Sequence, residues 1–183
     1  MEAKDVLTIF KELGWTLGKD EVGDDYCEYN LGGFTLSVMP KVKELTTDKV
    51  LRISYSLSYS LLTKAVSVIK SKKTSYEPFA VDSRSIRAVD FTRDDILSVE
   101  KKIVVWGKSQ PLDDVLEEYR EKCPDRPGLR QVYHLAALAI VGDVQKLAGY
   151  QLSFERGETL NFAPMIKKEM IDSAIELAKL NLA

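Results

Sequence analysis

The stretch that decides the fold is Val50-Leu51-Arg52-Ile53-Ser54-Tyr55-Ser56-Leu57-Ser58-Tyr59-Ser60-Leu61. Large apolar or aromatic residues alternate in it with arginine or serine. This two-residue period is typical of a β-strand with one buried face, because successive side chains of a strand point to opposite sides of the sheet. We therefore predict a strand over residues 50–61. Its serine-rich face is either exposed to solvent or small enough to let another element pack closely.

A helix and a hairpin are predicted before this strand. Apolar residues in 3–13 recur with helical spacing, and Gly14 follows as a helix stop. Two strand-like runs, 26–31 and 34–39, flank Gly32-Gly33, a pair that supplies the positive φ angles of a tight turn. Pro40 is predicted to end the second of these strands.

The period changes to three or four residues in the second half of the chain. Thr92, followed by acids, predicts a helix start, and Gly107 is predicted to stop that helix after Trp106. Residues 129–141 are nearly all apolar and predict a central core helix. Further helices are predicted at the positions 112–119, 144–154 and from Pro164 onward, with a rigid break at 123–128.

Residues 62–91 have a less decisive pattern. The run 65–69 fits either a strand or one short helix, whereas 79–81 and 86–89 indicate further extended pieces, with a polar loop at 70–75 between them. We therefore predict an α+β fold, in which an N-terminal helix and an antiparallel β-sheet are followed by a C-terminal multi-helix module. The predicted division is a helix-plus-sheet subdomain at 1–91 and a helical subdomain at 92–183, packed as one unit.

The composition excludes several classes of function. The chain has 183 residues, with 26 Lys and Arg against 28 Asp and Glu, and no basic run that would favour nucleic acid. No apolar run approaches the ~20 residues of a membrane span, and acids replace the basic start of a signal peptide. We expect a cytoplasmic protein in which Cys27 and Cys123 are buried thiols.

The residues that carry catalysis in other proteins form no motif here. His134 is the single histidine and lies in the most apolar helix, which favours a core histidine bonded to backbone or a carboxylate. We expect no catalytic residue, no metal and no cofactor. The alternative is a small-ligand-binding protein or an enzyme whose site is assembled from scattered residues, namely Arg52, Tyr55, Tyr59, Tyr133 and His134.

Two stretches resemble known families. The run His134-Leu135-Ala136-Ala137-Leu138-Ala139, with Gly142-Asp143 and the apolar residues of 144–147, resembles an ankyrin-type helical hairpin at 130–156. That resemblance implies two tightly packed antiparallel helices. The order of the helix with Val6-Leu7 and Ile9-Phe10, the Gly32-Gly33 hairpin and the strand from Leu51, over residues 1–60, is similar to bacterial type III secretion chaperones. In that family a helix and a bent sheet form a dimer that holds an unfolded effector segment.

These observations favour a non-catalytic bacterial module that binds another protein. We expect it to hold or neutralise a secreted effector or toxin, as a chaperone or an immunity protein, and self-association as a homodimer stays open. The predicted contact residues are Asp24, Asp25, Tyr26, Glu28 and Tyr29, near the first hairpin. A helical adaptor built on residues 92–183 is the remaining alternative.

Overall fold

The computed structural model describes residues 1–20, 22–72, 78–121 and 129–180. The helices and strands over these residues, in chain order, are α1 (Ala3–Glu12), β1 (Thr16–Lys19), β2 (Asp25–Asn30), β3 (Phe34–Glu44), β4 (Lys49–Tyr59), α2 (Ser60–Ile69), β5 (Pro78–Ala88), α3 (Arg93–Lys108), α4 (Leu112–Glu121), α5 (Leu129–Ile140), α6 (Val144–Glu155) and α7 (Lys168–Leu180). The predicted fold class, α+β with a C-terminal helical module, is confirmed. The chain divides into two compact units.

The sheet unit comprises Met1–Tyr59 and Pro78–Gln110. Within the described residues its strands follow the order β1-β2-β3-β4-β5, and every neighbouring pair is antiparallel. α1 and α3 pack on one face, where the alternating residues of β4 are buried as predicted: Leu51, Ile53, Tyr55 and Leu57. The serines of the other face range from exposed Ser54 to buried Ser58.

The predicted Gly32-Gly33 hairpin is present, between β2 and β3. Leu31-Gly32-Gly33 connects β2 to β3, and Gly32 and Gly33 have φ angles of 70° and 96°. These left-handed values suit glycine because a Cβ atom would be strained there. Cys27 on β2 is a buried free thiol, as expected, and burial raises its pKa to about 11. Cys123 and the predicted break at 123–128 lie outside the described residues.

Pro40 does not end β3, contrary to the prediction. β3 continues to Glu44, and Pro40 lies opposite Ile53 of β4. The pairing of β3 with β2 ends at Val38, so β3 has only one neighbouring strand at Pro40. A proline is tolerated there because its missing N–H group costs no ladder hydrogen bond on an unpaired side.

Gly107 does not stop α3, which runs on to Lys108. The glycine is buried, and a Cβ atom built on it would lie 3.1 Å from a methyl carbon of Leu31 and 3.2 Å from one of Leu36. The absence of a side chain therefore allows α3 to approach the sheet closely. The sequence alone cannot distinguish a glycine that ends a helix from one that allows close packing, because the second role depends on residues of the neighbouring sheet.

The helical unit comprises Ser60–Glu77 and Pro111–Ala183. In its described part α5 is the central helix and packs against α2, α4, α6 and α7. Its residues 132–139 are buried, as the apolar run predicts. α7 begins at Lys168, four residues later than the predicted start at Pro164.

The two compact units differ from the predicted division at residue 91. α3 belongs to the sheet unit, because Ile96, Val99 and Ile103 are buried in the core below the sheet. α2 belongs to the helical unit, where it packs against α5 and α7. The ambiguous run 65–69 is helical. The extended pieces predicted at 79–81 and 86–89 belong to the single strand β5, which ends at Ala88, one residue before the predicted end.

Candidate functional site

The loop between β1 and β2 is shaped by one carboxylate. Asp20 Oδ1 accepts hydrogen bonds from the backbone N–H groups of Val22 (3.0 Å) and Asp24 (2.8 Å). The Asp20 N–H donates to the Asp24 carbonyl oxygen at 3.0 Å, and Gly23 takes a φ of 90°. An aspartate that bonds backbone groups a few residues ahead is a common way to fix a turn. We call residues 20 and 22–25 the Asp20 loop.

The Asp20 loop presents an apolar side chain among acids. Val22 is 84% exposed. Asp24 and Asp25 follow it and are exposed, and each lies near a lysine: Asp25 is 2.6 Å from Lys19 Nζ, and Asp24 is 3.6 Å from Lys41 Nζ. Ion pairs at this exposure add little stability. Both carboxylates can therefore exchange a lysine for a basic group of a partner at little cost.

Tyr26 and Glu28 extend this surface along β2. The Tyr26 ring lies against Gly18 of β1, so closely that a Cβ atom there would come within 2.5 Å of it. Burial raises the pKa of the Tyr26 hydroxyl, and the charges of Glu28 and Asp20 add to the effect. Glu28 accepts a hydrogen bond from Ser37 Oγ at 3.3 Å. The phenol and the carboxylate thus lie on the face opposite the helices.

Tyr29 lies on the other face of β2. Its ring is 5.3 Å from that of Trp15, which is buried beneath α1. Residues 26 and 28 alternate with 27 and 29 along the strand, and Cys27 is fully buried. The five predicted contact residues are therefore not one surface: four belong to the loop and the face opposite the helices, and Tyr29 belongs to the core side.

The residues of the predicted ligand site divide between the two compact units. Arg52, Tyr55 and Tyr59 are in the sheet unit, but Arg52 points to the face opposite the other two. Arg52 donates to Ser83 Oγ at 3.4 Å. The Tyr55 hydroxyl donates to Asp82 Oδ2 at 3.0 Å, and its ring packs against Trp106. Tyr59 stacks on Phe34 with ring centroids 5.3 Å apart.

Tyr133 and His134 are in the helical unit. His134 is fully buried, with Nδ1 against the backbone oxygen of Tyr119 and Nε2 2.9 Å from the Tyr150 hydroxyl. Tyr133 packs its ring on that of Tyr119, 5.3 Å away. Burial lowers the pKa of His134. His134 is therefore buried and bonded to a backbone oxygen, in line with the prediction, but its second partner is a tyrosine hydroxyl and not a carboxylate. Since both ring nitrogens are engaged, this histidine holds α4 and α6 against α5.

A second buried polar residue of α5 has no counterpart in the predicted sites. Gln131 donates from Nε2 to the Asn161 carbonyl oxygen (3.3 Å) and accepts at Oε1 from the Ala163 N–H (2.8 Å). Asn161 has a φ of 63°, so the glutamine clamps a turn in a left-handed conformation. The signal in the sequence is an amide inside an apolar helix, which needs a buried hydrogen-bond partner.

The described residues hold no group of three or more His, Cys, Asp or Glu side chains placed to bind a metal ion. None of the helices over these residues combines the length and apolar character needed to cross a membrane.

The chain belongs to the DUF6990 family, a family of unknown function whose model matches residues 2–179. That match includes residues of both compact units. Comparison with curated proteins and with solved structures finds no match.

Proposed function

We propose that this member of the DUF6990 family is a non-catalytic bacterial protein-binding module that holds or neutralises a secreted effector or toxin in the cytoplasm. The observation that carries the proposal is the Asp20 loop, in which an internal carboxylate fixes the backbone while Val22 and two carboxylates face solvent. A loop that is shaped before binding loses less conformational entropy when its partner docks. Tyr26 beside it adds the aromatic residue type that is enriched at interfaces.

The chemistry of the loop favours a partner with a basic surface around an apolar spot. Asp24 and Asp25 would exchange Lys41 and Lys19 for that surface, and Val22 would fill the apolar spot. Complementary charges speed association and select among partners. An acidic surface of this kind suits an immunity protein that covers the site of a toxin, or a chaperone that shields a basic effector segment.

The test is affinity capture from the native cell with three versions of the tagged full chain. The first is the natural sequence, the second carries Val22→Asp, and the third carries Val105→Asp on α3 as a matched control, since Val105 is 65% exposed. We expect one stoichiometric protein with the natural sequence and the control, and at least roughly tenfold less with Val22→Asp, because a charge replaces the apolar contact. Equal capture by all three versions would remove the Asp20 loop from the interface.

Co-expression then separates the two roles. A toxin partner arrests growth when expressed alone, and the arrest is relieved by the natural sequence but not by Val22→Asp. An effector partner instead aggregates or is degraded when expressed alone and accumulates in the presence of the natural sequence. A captured protein that shows neither behaviour contradicts both roles and leaves an adaptor.

A further inference from the structure

β5 is long for a strand at the edge of a sheet. It forms one end of the strand order, and its 11 residues compare with 4 in β1 at the other end. Over the described residues its backbone hydrogen bonds go to β4 alone. Val81 at its middle is 71% exposed. A long exposed edge carries a row of free N–H and C=O groups, which makes it a template for another strand.

The centre of β5 carries two opposite charges on one face. Asp82 and Arg84 are separated by one residue, so their side chains point to the same side of the sheet. Both are exposed, and neither forms an ion pair with any residue that the structure describes. Asp82 accepts the hydrogen bond from the Tyr55 hydroxyl, which holds its carboxylate in place.

Two copies of β5 that pair antiparallel about a two-fold axis can do so only in a few registers. Side chains directly opposite each other lie on the same face of the sheet. The residue at the axis must therefore face its own copy in the other chain, and the axis cannot fall between two successive residues of one strand. An axis at Ser83 places Asp82 of each copy opposite Arg84 of the other, and Ala80 opposite Ile86. An axis at Asp82 places two aspartates opposite each other, and one at Arg84 places two arginines opposite each other.

The sequence of β5 is therefore self-complementary in one register and self-repelling in the two nearest ones. Opposite charges stabilise a cross-strand pair, whereas like charges directly opposite destabilise it. Such an interface would be isologous, which means that both copies use the same patch, because one β5 strand supplies both the carboxylate and the guanidinium. These features fit a second copy of the same chain better than a partner strand of arbitrary sequence.

We propose that two copies of this chain associate through antiparallel pairing of their β5 strands, centred on Ser83, so that their sheets become continuous. This inference is independent of the proposed function, because it uses the β5 edge and not the Asp20 loop. Charged residues on an edge strand can instead serve to prevent pairing. That alternative predicts a monomer, so the two explanations give opposite results.

The first test is a charge exchange in the full chain, read as the dissociation constant of the dimer by analytical ultracentrifugation. Asp82→Arg alone and Arg84→Asp alone each place like charges opposite each other, and we expect either to weaken self-association by roughly tenfold or more. The double variant Asp82→Arg/Arg84→Asp restores the opposite-charge pairs and self-association. Lys43→Asp on β3 is the matched control, because it makes the same charge change as Arg84→Asp on a strand that is separated from β5 by β4.

Mixing the two single variants provides the check on folding. In an equimolar mixture every residue 82 of one variant faces an opposite charge at residue 84 of the other, so we expect mixed dimers at close to the natural affinity. A mixture that stays monomeric while both variants keep their natural circular dichroism overturns the proposal. A natural sequence that is monomeric at all concentrations overturns it as well.

A disulfide tests the register directly. In a background with Cys123→Ser, Ser83→Cys places the two thiols at the axis, where opposite Cα atoms lie about 4.5–5.5 Å apart and can be bridged. We expect a covalent dimer under mild oxidation. Ser85→Cys is the control, because its two copies would lie about 13 Å apart along the paired strands at ~3.3 Å per residue. Crosslinking of Ser85→Cys but not of Ser83→Cys overturns the register.

Discussion

His134 has a defined protonation state because of its two hydrogen bonds. A backbone carbonyl can only accept, so Nδ1 carries the proton that is donated to Tyr119, and Nε2 accepts from the Tyr150 hydroxyl. The neutral ring is thereby satisfied inside the helical unit. Burial disfavours a charged ring, and Lys146 adds to that effect, while the bond to Tyr119 and the charge of Asp143 oppose it. The net result is a lowered pKa.

The lowered pKa predicts how stability depends on pH. The unfolded chain takes up a proton near the ordinary pKa of 6.5, whereas the folded chain does so only at lower pH. Between these values the unfolded state binds more protons, so the free energy of unfolding rises with pH, and the contribution of His134 is lost as pH falls from 6.5 through the lower pKa of the folded state. We expect chemical denaturation to be easier at pH 5.5 than at pH 7.5. Since the chain has one histidine, its titration by NMR is unambiguous.

A pair of variants isolates this contribution. His134→Phe should remove the rise in stability between pH 5.5 and pH 7.5 and cost about 2–4 kcal/mol at pH 7.5, since it leaves two buried polar groups without this partner. Arg130→Ala, at an exposed position of the same helix, should keep the pH dependence and cost less than about 0.5 kcal/mol. An NMR pKa of 6.5 or above would contradict the prediction.

At the scale of single elements, the start of α3 is stabilised by a reciprocal cap. Thr92 Oγ1 accepts from the Asp95 N–H at 3.3 Å, and the Asp95 carboxylate accepts from the Thr92 N–H at 2.8 Å. The bonds from the Thr92 hydroxyl and N–H lower the pKa of Asp95. This pair satisfies backbone donors that the first turn of a helix leaves unpaired. α3 is thereby anchored at the point where it leaves Phe91 of the sheet core.

Removal of the cap should destabilise the sheet unit. We expect Thr92→Ala to lower the free energy of unfolding by about 1 kcal/mol, the usual loss for a capping threonine. Thr8→Ala is the control, because Thr8 lies inside α1 and bonds the Lys4 carbonyl, and a threonine-to-alanine change in an exposed helix interior is neutral or slightly stabilising. Urea denaturation of both variants measures the difference. Equal effects would show that the cap contributes nothing specific.

Local signals in the sequence predict some elements and not others. The alternation in residues 50–61 predicts β4 as far as Tyr59 but not the helix α2 that begins at Ser60. The Gly32-Gly33 pair predicts the turn between β2 and β3, because this signal also depends on neighbouring residues. The roles of Pro40 and Gly107 cannot be predicted from neighbouring residues, because each depends on a distant strand. The end of β2 frees one side of β3 at Pro40, and Leu36 lies within 3.2 Å of where a Cβ atom on Gly107 would be. For the same reason, only part of the candidate surface can be predicted from the sequence. Tyr26 and Glu28 could be placed on one face of β2 from their spacing, but the bonds that shape the Asp20 loop could not.

At the scale of the whole molecule, neither compact unit is a continuous segment. The chain leaves the sheet unit after Tyr59, returns at Pro78 and leaves again after Gln110. The sequence pattern cannot predict that α2 belongs to the helical unit. The helix is amphipathic, and its buried side would suit any apolar surface; the buried residues are Leu62, Ala65, Val66 and Ile69. Their actual neighbours are α5 and α7, which follow in the chain by about 60 residues or more.

The discontinuity predicts the behaviour of fragments. Residues 111–183 alone should be poorly helical by circular dichroism, because the surfaces of α5 and α7 that α2 covers are exposed to water. A peptide of residues 59–72 added to this fragment should raise the helical signal above the sum of the two parts. The same peptide with Val66→Asp should not, since Val66 is fully buried. A fully helical fragment without the peptide contradicts the prediction.

The place of α2 in the chain also sets an order of events during synthesis. A ribosome delivers α2 before β5 and α3, whereas α5 and α7, which shelter its apolar side, follow about 60 residues or more later. The sheet can close once residue 110 is free, whereas α2 must wait for α7. The nascent protein therefore carries an unsheltered apolar helix until α7 has emerged, a period in which general chaperones of the cell can bind it.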